Sequence, residues 1–167
     1  MRELRVKKKW VEDYEEAESL TSDVEVMLDF LKDGEASAEE VDQQYTQALH
    51  AIEALEFRNM LSDEGDAMSA VLQITAGAGG TESCDWASML LRMYTMWCNN
   101  QKYKVKTLNF QEGDVAGVKT VTIEIEGEYA FGYLKGENGV HRLVRISPFD
   151  SNAKRHTSFA SVYVYPL

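Results

Sequence analysis

Two short segments of the sequence carry side chains whose types and spacing suit recognition of a polar ligand. The first is a glycine-rich turn, residues 76–82, which ends in Gly79-Gly80-Thr81-Glu82. The second is a polar loop, residues 147–157, in which a proline and a phenylalanine lie among basic residues and a histidine. Glycines allow a ligand to approach the backbone, and cations combined with flat rings suit stacking on unpaired bases.

The glycine-rich turn has three interpretations. A phosphate-binding loop needs Gly-Lys-Ser or Gly-Lys-Thr, and a dinucleotide fingerprint needs glycine or alanine where Glu82 stands, so both nucleotide sites are disfavoured. The second interpretation is a tight connection from a strand to a helix, with Thr81 as its N-cap. The third is that the helix start and the Glu82 carboxylate contact a base edge of unstacked RNA.

The polar loop has two interpretations, a solvated surface connection and a contact for single-stranded RNA. Pro148 stiffens the loop, Phe149 offers an apolar anchor, and His156 offers a ring for stacking. Residues 141–157 carry four basic side chains against one acidic side chain, Asp150; the four are Arg142, Arg145, Lys154 and Arg155. This segment is a small basic patch.

The net charge of −11 excludes a protein that coats nucleic acid through bulk electrostatic attraction. The charge is uneven, because residues 1–69 carry 7 Lys+Arg against 19 Asp+Glu, whereas residues 70–167 carry 10 against 9. No apolar run reaches the roughly 18 residues needed to span a bilayer, and no apolar leader follows Met1. We therefore expect a cytoplasmic protein with no membrane partner.

The two cysteines, Cys84 and Cys98, lie 14 positions apart on one predicted helix. That spacing corresponds to roughly 21 Å of rise, which is far too long for a disulfide. Neither cysteine has a Cys or His neighbour at metal-ligand spacing, so we expect no metal and no cofactor.

The apolar periodicity predicts a helical hairpin followed by an α+β domain. Apolar residues recur at steps of three and four over residues 6–31, Gly34 ends this stripe, and Ser37-Ala38-Glu39-Glu40 is typical of a capping box. A second stripe then continues to residue 55. The polar stretch 62–66 ends the helical pattern, so the predicted domains are residues 1–66 and 67–167.

The second domain is predicted to be a small mixed α/β, sandwich-like unit whose antiparallel sheet packs on one long helix. Alternating residues predict strands over 68–74, 103–110, 118–126, 140–146 and 158–165. The helix after the glycine-rich turn is predicted to bury one side, which comprises Trp86, Met89, Leu90, Met93 and Trp97.

Five motifs occur in an order that resembles the bacterial class I peptide chain release factors, in particular the release factor 2 branch. They are Gly77-Ala78-Gly79-Gly80-Thr81-Glu82, Asp85-Trp86-Ala87-Ser88-Met89-Leu90, Gly113-Asp114-Val115-Ala116-Gly117, Gly139-Val140-His141-Arg142-Leu143, and the stretch 143–151 with 154–159. The resemblance is dense over residues 70–167 and looser in the helical segment, chiefly at residues 55–60.

The resemblance implies a role in translation termination. The chain's Ser147-Pro148-Phe149 is similar to the tripeptide of the factor that reads UAA and UGA. The sister branch carries Pro-x-Thr instead and reads UAA and UAG. The resemblance also implies that Gly79 and Glu82 face the first-position uridine, that His156 stacks between bases, and that Thr157 bonds near the third position. A rotating hydroxyl at Ser147 suits either purine, because it accepts from adenine or donates to guanine.

The implied partners are the messenger RNA stop codon and the decoding site of the small ribosomal subunit. The supporting RNA contacts implied are the basic side chains of the patch, Arg142, Arg145, Lys154 and Arg155.

The Gly-Gly-Gln tripeptide through which such factors promote ester hydrolysis has no counterpart here, because Gly79-Gly80 precedes Thr81. The resemblance therefore implies a codon-reading portion that is not an enzyme and has no catalytic residue. The alternative is a truncated paralogue that binds the ribosome or a partner without reading codons, and the intact loop favours reading. We also expect self-association through sheet surface that a missing C-terminal part leaves uncovered.

Overall fold

The computed structural model describes residues 2–167, apart from the side chains of residues 2, 3, 5 and 6. The chain forms two compact units, the first ending at Ser62 and the second beginning at Asp63. The sequence places this boundary four residues later. The predicted fold class is confirmed: a helical hairpin precedes an α+β unit with an antiparallel sheet.

The first unit consists of helices α1 (Arg2–Lys32) and α2 (Ala38–Met60). Gly34 has a φ of 77°, a left-handed conformation that suits glycine at the end of a helix. The predicted capping box is confirmed, because the Glu40 amide donates to Ser37 Oγ at 3.3 Å and the Ser37 amide donates to Glu40 Oε2 at 2.8 Å. Local sequence signals therefore fix where α2 begins.

Arg58 of α2 connects the two helices of the hairpin. The Arg58 guanidinium donates to the Asp13 carboxylate and lies 5.7 Å from the ring centre of Trp10. Within the described part of this unit, only Ala17 and Ala48 are fully buried. The predicted stripe begins at residue 6, whose side chain lies outside the described residues. None of the helices within residues 2–167 has a stretch both long and apolar enough for a membrane span.

The second unit is built on a five-stranded antiparallel sheet. Its strands are β1 (Ala70–Ala76), β2 (Lys104–Glu112), β3 (Val118–Glu126), β4 (Gly139–Ile146) and β5 (Arg155–Pro166), in the spatial order β2-β3-β1-β5-β4. Helix α3 (Thr81–Asn100) follows β1, and the short helix α4 (Ala130–Leu134) with one 3-10 turn connects β3 to β4. The sequence predicts all five strands but not α4.

The core lies between α3 and one face of the sheet. Alternate residues of the three inner strands are buried there: Leu72, Ile74, Val121, Ile123, Ile125, Ala160, Val162 and Val164. Full burial of each large aliphatic side chain stabilises the fold by roughly 1.5–3 kcal/mol. From α3, the core receives Leu90, Tyr94 and Cys98.

The predicted burial of Met89 and Met93 is wrong, because these side chains are 41% and 47% exposed. Leu90 and Tyr94, four residues apart, occupy the stripe that faces the sheet. Each methionine precedes one of these residues and is therefore rotated by about 100° around the helix axis, away from the sheet.

A buried carboxylate, that of Asp66, fixes the segment that enters the sheet. Asp66 is 1% exposed, and its carboxylate oxygens lie 2.7 and 2.9 Å from Lys135 Nζ. The same carboxylate accepts the Asp63 amide at 3.0 Å, and the Gly132 amide donates to the Asp66 carbonyl at 3.1 Å. These contacts join the start of the unit to α4.

We predict that Asp66→Ala lowers the free energy of unfolding of the second unit by about 2–3 kcal/mol, because Lys135 and the Asp63 amide both lose a buried, charged acceptor. The measurement is urea unfolding followed by the amide signals of β1. Asp63→Ala is the matched control, because Asp63 also contacts Lys135, at 2.7 Å, but is solvent-exposed. Equal losses in the two variants would contradict the prediction.

Candidate nucleic-acid interface

The glycine-rich turn and the polar loop meet at the same end of the sheet. Strands β1 and β5 pair antiparallel, with Ala76 opposite Ala160. Two further bonds continue this pairing: the Gly77 amide donates to the Phe159 carbonyl at 2.8 Å, and the Phe159 amide donates to the Ala78 carbonyl at 3.1 Å. The turn after β1 is thereby fixed to the start of β5.

Glycines are needed where the turn lies close to the backbone of β5 and where its φ angles are positive. A Cβ on Gly77 would lie 2.9 Å from the Phe159 carbonyl oxygen, and Gly79 and Gly80 have φ angles of 135° and 57°. The predicted N-cap at Thr81 is wrong, because Gly80 is the N-cap residue and no side chain caps the helix there. Thr81 is instead the first residue of α3.

The Glu82 carboxylate connects the two segments. Glu82 is 6% exposed, and its Oε1 accepts a short hydrogen bond from the Ser147 hydroxyl. Its Oε2 accepts from Arg145 Nε at 3.2 Å and from Arg145 Nη2 at 3.1 Å. One buried carboxylate of the glycine-rich turn therefore holds the end of β4 and the first residue of the loop.

Asp85 completes this ion-pair cluster, a role that the sequence pattern did not indicate. Asp85 Oδ2 accepts from Arg145 Nη2 at 2.5 Å. Its position, three residues after Glu82, puts both carboxylates on one face of α3. That spacing is the feature of the sequence from which a shared basic partner could have been predicted. Arg145, predicted to support RNA binding, donates here to two carboxylates of its own chain.

The surroundings keep Glu82 ionised. Burial alone raises the pKa of Glu82, but hydrogen bonds from Ser147 and Arg145 and the guanidinium charge outweigh burial. The net result is a pKa below the ordinary value. An ionised carboxylate accepts on both oxygens, which is what the contacts to Ser147 and Arg145 require.

The loop is shorter than predicted. Strand β5 begins at Arg155, so the loop covers residues 147–154, and Arg155, His156 and Thr157 belong to the strand. The reason is that the β4–β5 pairing continues to Ile146 opposite Arg155. The Ser147 amide closes the loop by donating to the Lys154 carbonyl at 3.1 Å.

The loop is buried at its first residue, Ser147, and exposed at its tip. Ser147 is buried, and its Oγ accepts the Phe149 amide at 3.1 Å. Pro148 and Phe149 are exposed at the tip, and Thr157 is exposed opposite Val144. The remaining predicted cations are also exposed: Arg142, Lys154 and Arg155.

A second contact that the sequence pattern did not indicate, between Asp150 and His156, crosses the loop. His156 Nε2 lies 2.8 Å from Asp150 Oδ2, and the hydrogen bond from His156 holds the pKa of Asp150 below its usual value.

His141, which belongs to another motif, has its Nε2 2.9 Å from the Glu137 carbonyl. Among the described residues, no three His, Cys, Asp or Glu side chains form a group that could hold a metal ion.

Comparison with known proteins identifies the family. The PCRF domain family matches residues 1–162, so the chain belongs to this family. It is 55% identical to peptide chain release factor 2 of Chlamydia abortus over 148 residues, which cover 86% of this chain and 40% of that protein. It is 58% identical to peptide chain release factor 2 of Helicobacter pylori over 117 residues, which cover 70% of this chain and 32% of that protein.

A solved structure, RF2 of Thermus thermophilus, matches with a TM-score of 0.68 and 40% identity, covering 95% of this chain and 45% of that chain. The resemblance to release factor 2 inferred from the five motifs is confirmed. The chain spans less than half the length of each of these relatives.

We predict that Glu82→Gln flattens the acid side of the stability profile. Because the pKa of Glu82 is lower in the folded state, its contribution is fully present above the ordinary value of 4.5 and is lost as pH falls through the folded pKa. Native stability should therefore fall more steeply below pH 4.5 than that of Glu82→Gln, as followed by urea unfolding of β1 amides. Glu126→Gln, at an exposed position, is the control. Parallel profiles for native protein and Glu82→Gln would refute the prediction.

Proposed function

We propose that the second unit reads the stop codons UAA and UGA in the decoding site of the small ribosomal subunit, in the cytoplasm. The observation that carries this proposal is the hydrogen bond between Ser147 and Glu82, since it brings both predicted reading segments to one place. Family membership and the similarity to release factor 2 support a role in translation termination. The proposal is limited to codon reading, because the 167 residues contain no Gly-Gly-Gln tripeptide.

Each reading residue has a position consistent with its proposed role. The exposed backbone at Gly79 and the helix start at Glu82 would face the first base, and the space beside Gly80 is open. His156 and Thr157 lie on β5 beside the loop, at the exposed surface; His156 would stack between bases and Thr157 would bond near the third base. These assignments follow the resemblance, and the shared end of the sheet makes them compatible.

Ser147 offers a physical account of purine reading at the second position. Its hydroxyl proton goes to Glu82 and its oxygen accepts one amide, which leaves a second lone pair for the amino group of adenine. Guanine presents a carbonyl oxygen instead, so the hydroxyl must turn from Glu82 to donate to the base. Glu82 keeps its two bonds from Arg145 during that exchange.

Phosphate contacts alone cannot give strong binding. Residues 70–167 carry 10 basic against 9 acidic side chains, so counterion release contributes little to RNA affinity. Arg142, Lys154 and Arg155 are exposed and suited to local phosphate contacts, whereas Arg145 is held by carboxylates. We infer that the ribosome must present the codon to this surface.

The alternative function, a ribosome- or partner-binding module that does not read codons, predicts binding that is independent of the codon. The arrangement of Glu82, Arg145 and Ser147 favours reading, because a module without this task has no need to fix the loop on a buried carboxylate.

We predict that the chain binds ribosomes programmed with UAA or UGA at least about tenfold more tightly than ribosomes programmed with UAG or a sense codon. Fluorescence anisotropy of the labelled chain measures these affinities. Ser147→Ala should lose most of the preference over a sense codon with a pyrimidine at the second position, because neither purine then meets a hydroxyl, whereas the preference over UAG, which also has adenine there, should remain. Ser151→Ala, an exposed serine of the same loop, is the matched control. Equal binding to all four codons would rule out codon reading and support the alternative.

We also propose that the chain self-associates through the sheet face opposite α3. Val140, Ile146 and Tyr163 are largely exposed on this face. Sedimentation velocity should show a dimer whose fraction rises with concentration, and Tyr163→Glu should reduce it, because dimerisation would bury the new charge. A monomer at all concentrations would contradict this proposal.

A further inference from the structure

The contact between Asp150 and His156 has no role in the function proposed so far. We propose that Asp150 is a positioning residue: its carboxylate holds the His156 imidazole in one orientation and one tautomer, ready to stack on the codon. The inference rests on the proposed function, in which His156 meets the bases. It adds a second carboxylate, on the loop itself, to the residues that prepare the reading surface.

The geometry shows that Asp150 is itself held in place. Its Oδ1 accepts the Asn152 amide at 2.9 Å and its carbonyl accepts the Ala153 amide at 3.0 Å. Its other oxygen, Oδ2, lies 2.8 Å from His156 Nε2. The Asp150 side chain is 19% exposed, while that of His156 is 43% exposed. A fixed, largely covered acceptor therefore holds one edge of a ring whose remaining surface is open to a ligand.

The contact selects the tautomer of the ring. An ionised carboxylate only accepts hydrogen bonds, and the low pKa of Asp150 keeps it ionised. His156 Nε2 must therefore carry a hydrogen, so neutral His156 has an unprotonated Nδ1 that can accept from a base. Without Asp150 the ring could rotate and exchange tautomers, and stacking would then have to order it at a cost in entropy.

Two other charged groups face His156. Arg145 is its partner in the β4–β5 register, and the charge of Glu82 interacts with it. Both are committed to the ion-pair cluster, in which Arg145 donates to Glu82 and Asp85. Asp150 is therefore the group that holds the ring directly.

A simpler role for Asp150 is to shape the loop through its bond to Asn152. The two roles differ in one consequence. If Asp150 acts through His156, removing Asp150 should have no further effect on codon binding once His156 is absent. If Asp150 only shapes the loop, its removal should weaken binding equally with or without His156.

The experiment is a double-mutant cycle on binding to UAA-programmed ribosomes. We expect Asp150→Ala to weaken binding about tenfold, and Asp150→Asn, whose amide oxygen still accepts from Nε2, to stay within about threefold of the native chain. In the His156→Ala background, Asp150→Ala should change binding less than about twofold. Glu126→Ala, which removes an exposed carboxylate at the opposite end of the sheet, is the control for loss of charge.

Nitrogen NMR of the ring in the free chain tests the same inference without ribosomes. We expect the Nε2–H tautomer to dominate in the native chain and in Asp150→Asn, and both tautomers to be populated in Asp150→Ala. Mixed tautomers in the native chain, or equal losses from Asp150→Ala in both backgrounds, would overturn the positioning role while codon preference persists. Absence of codon preference in the native chain would instead overturn the proposed function, and the role of Asp150 in reading with it.

Discussion

The arrangement of the site depends on the hydrogen bonds that Ser147 and Arg145 donate to the buried Glu82 carboxylate. A charged group at this depth is costly unless its oxygens are satisfied, and Ser147 and Arg145 satisfy them. Because these partners lie more than 60 residues away along the chain, the need to satisfy one carboxylate constrains two segments at once. A conformation that separates Ser147 from Glu82 leaves one oxygen of the buried carboxylate without its partner, while Arg145 still donates to the other.

Backbone contacts make the pairing with Glu82 possible. The glycine at position 77 lets the turn pair directly with Phe159, which fixes the start of α3 relative to β5. A second close approach supports the same helix start, since a Cβ on Gly117 would lie 2.3 Å from the Cys84 carbonyl oxygen. The turn between β2 and β3 therefore packs against the first turn of α3. The helix that carries Glu82 is thus held from both sides by contacts that tolerate no side chain.

The sequence predicts those features that depend on local patterns. The capping box at Ser37 and the five strands follow from spacing over a few residues, and the structure contains them. What it does not predict depends on partners distant in the chain: the start of β5 at Arg155 is set by pairing with Ile146, and the exposure of Met89 by which side of α3 meets the sheet.

The same limit applies to the ion-pair cluster. Glu82, Asp85 and Arg145 are ordinary charged residues in the sequence, and only the fold shows that they meet.

If the second unit reads codons as proposed, the ion-pair cluster also explains why so few cations are needed at this surface. A flexible loop would have to be ordered when it binds RNA, and the ordering entropy would have to be offset by phosphate contacts. Here the loop is already fixed at its base by Glu82 and closed by the Ser147–Lys154 backbone bond. A nearly neutral unit with a preformed loop spends little binding energy on ordering, so differences between bases are not masked by a large sequence-independent attraction. In the proposed function, rigidity gained from an internal ion pair thus serves discrimination, a role that additional basic residues could not fill.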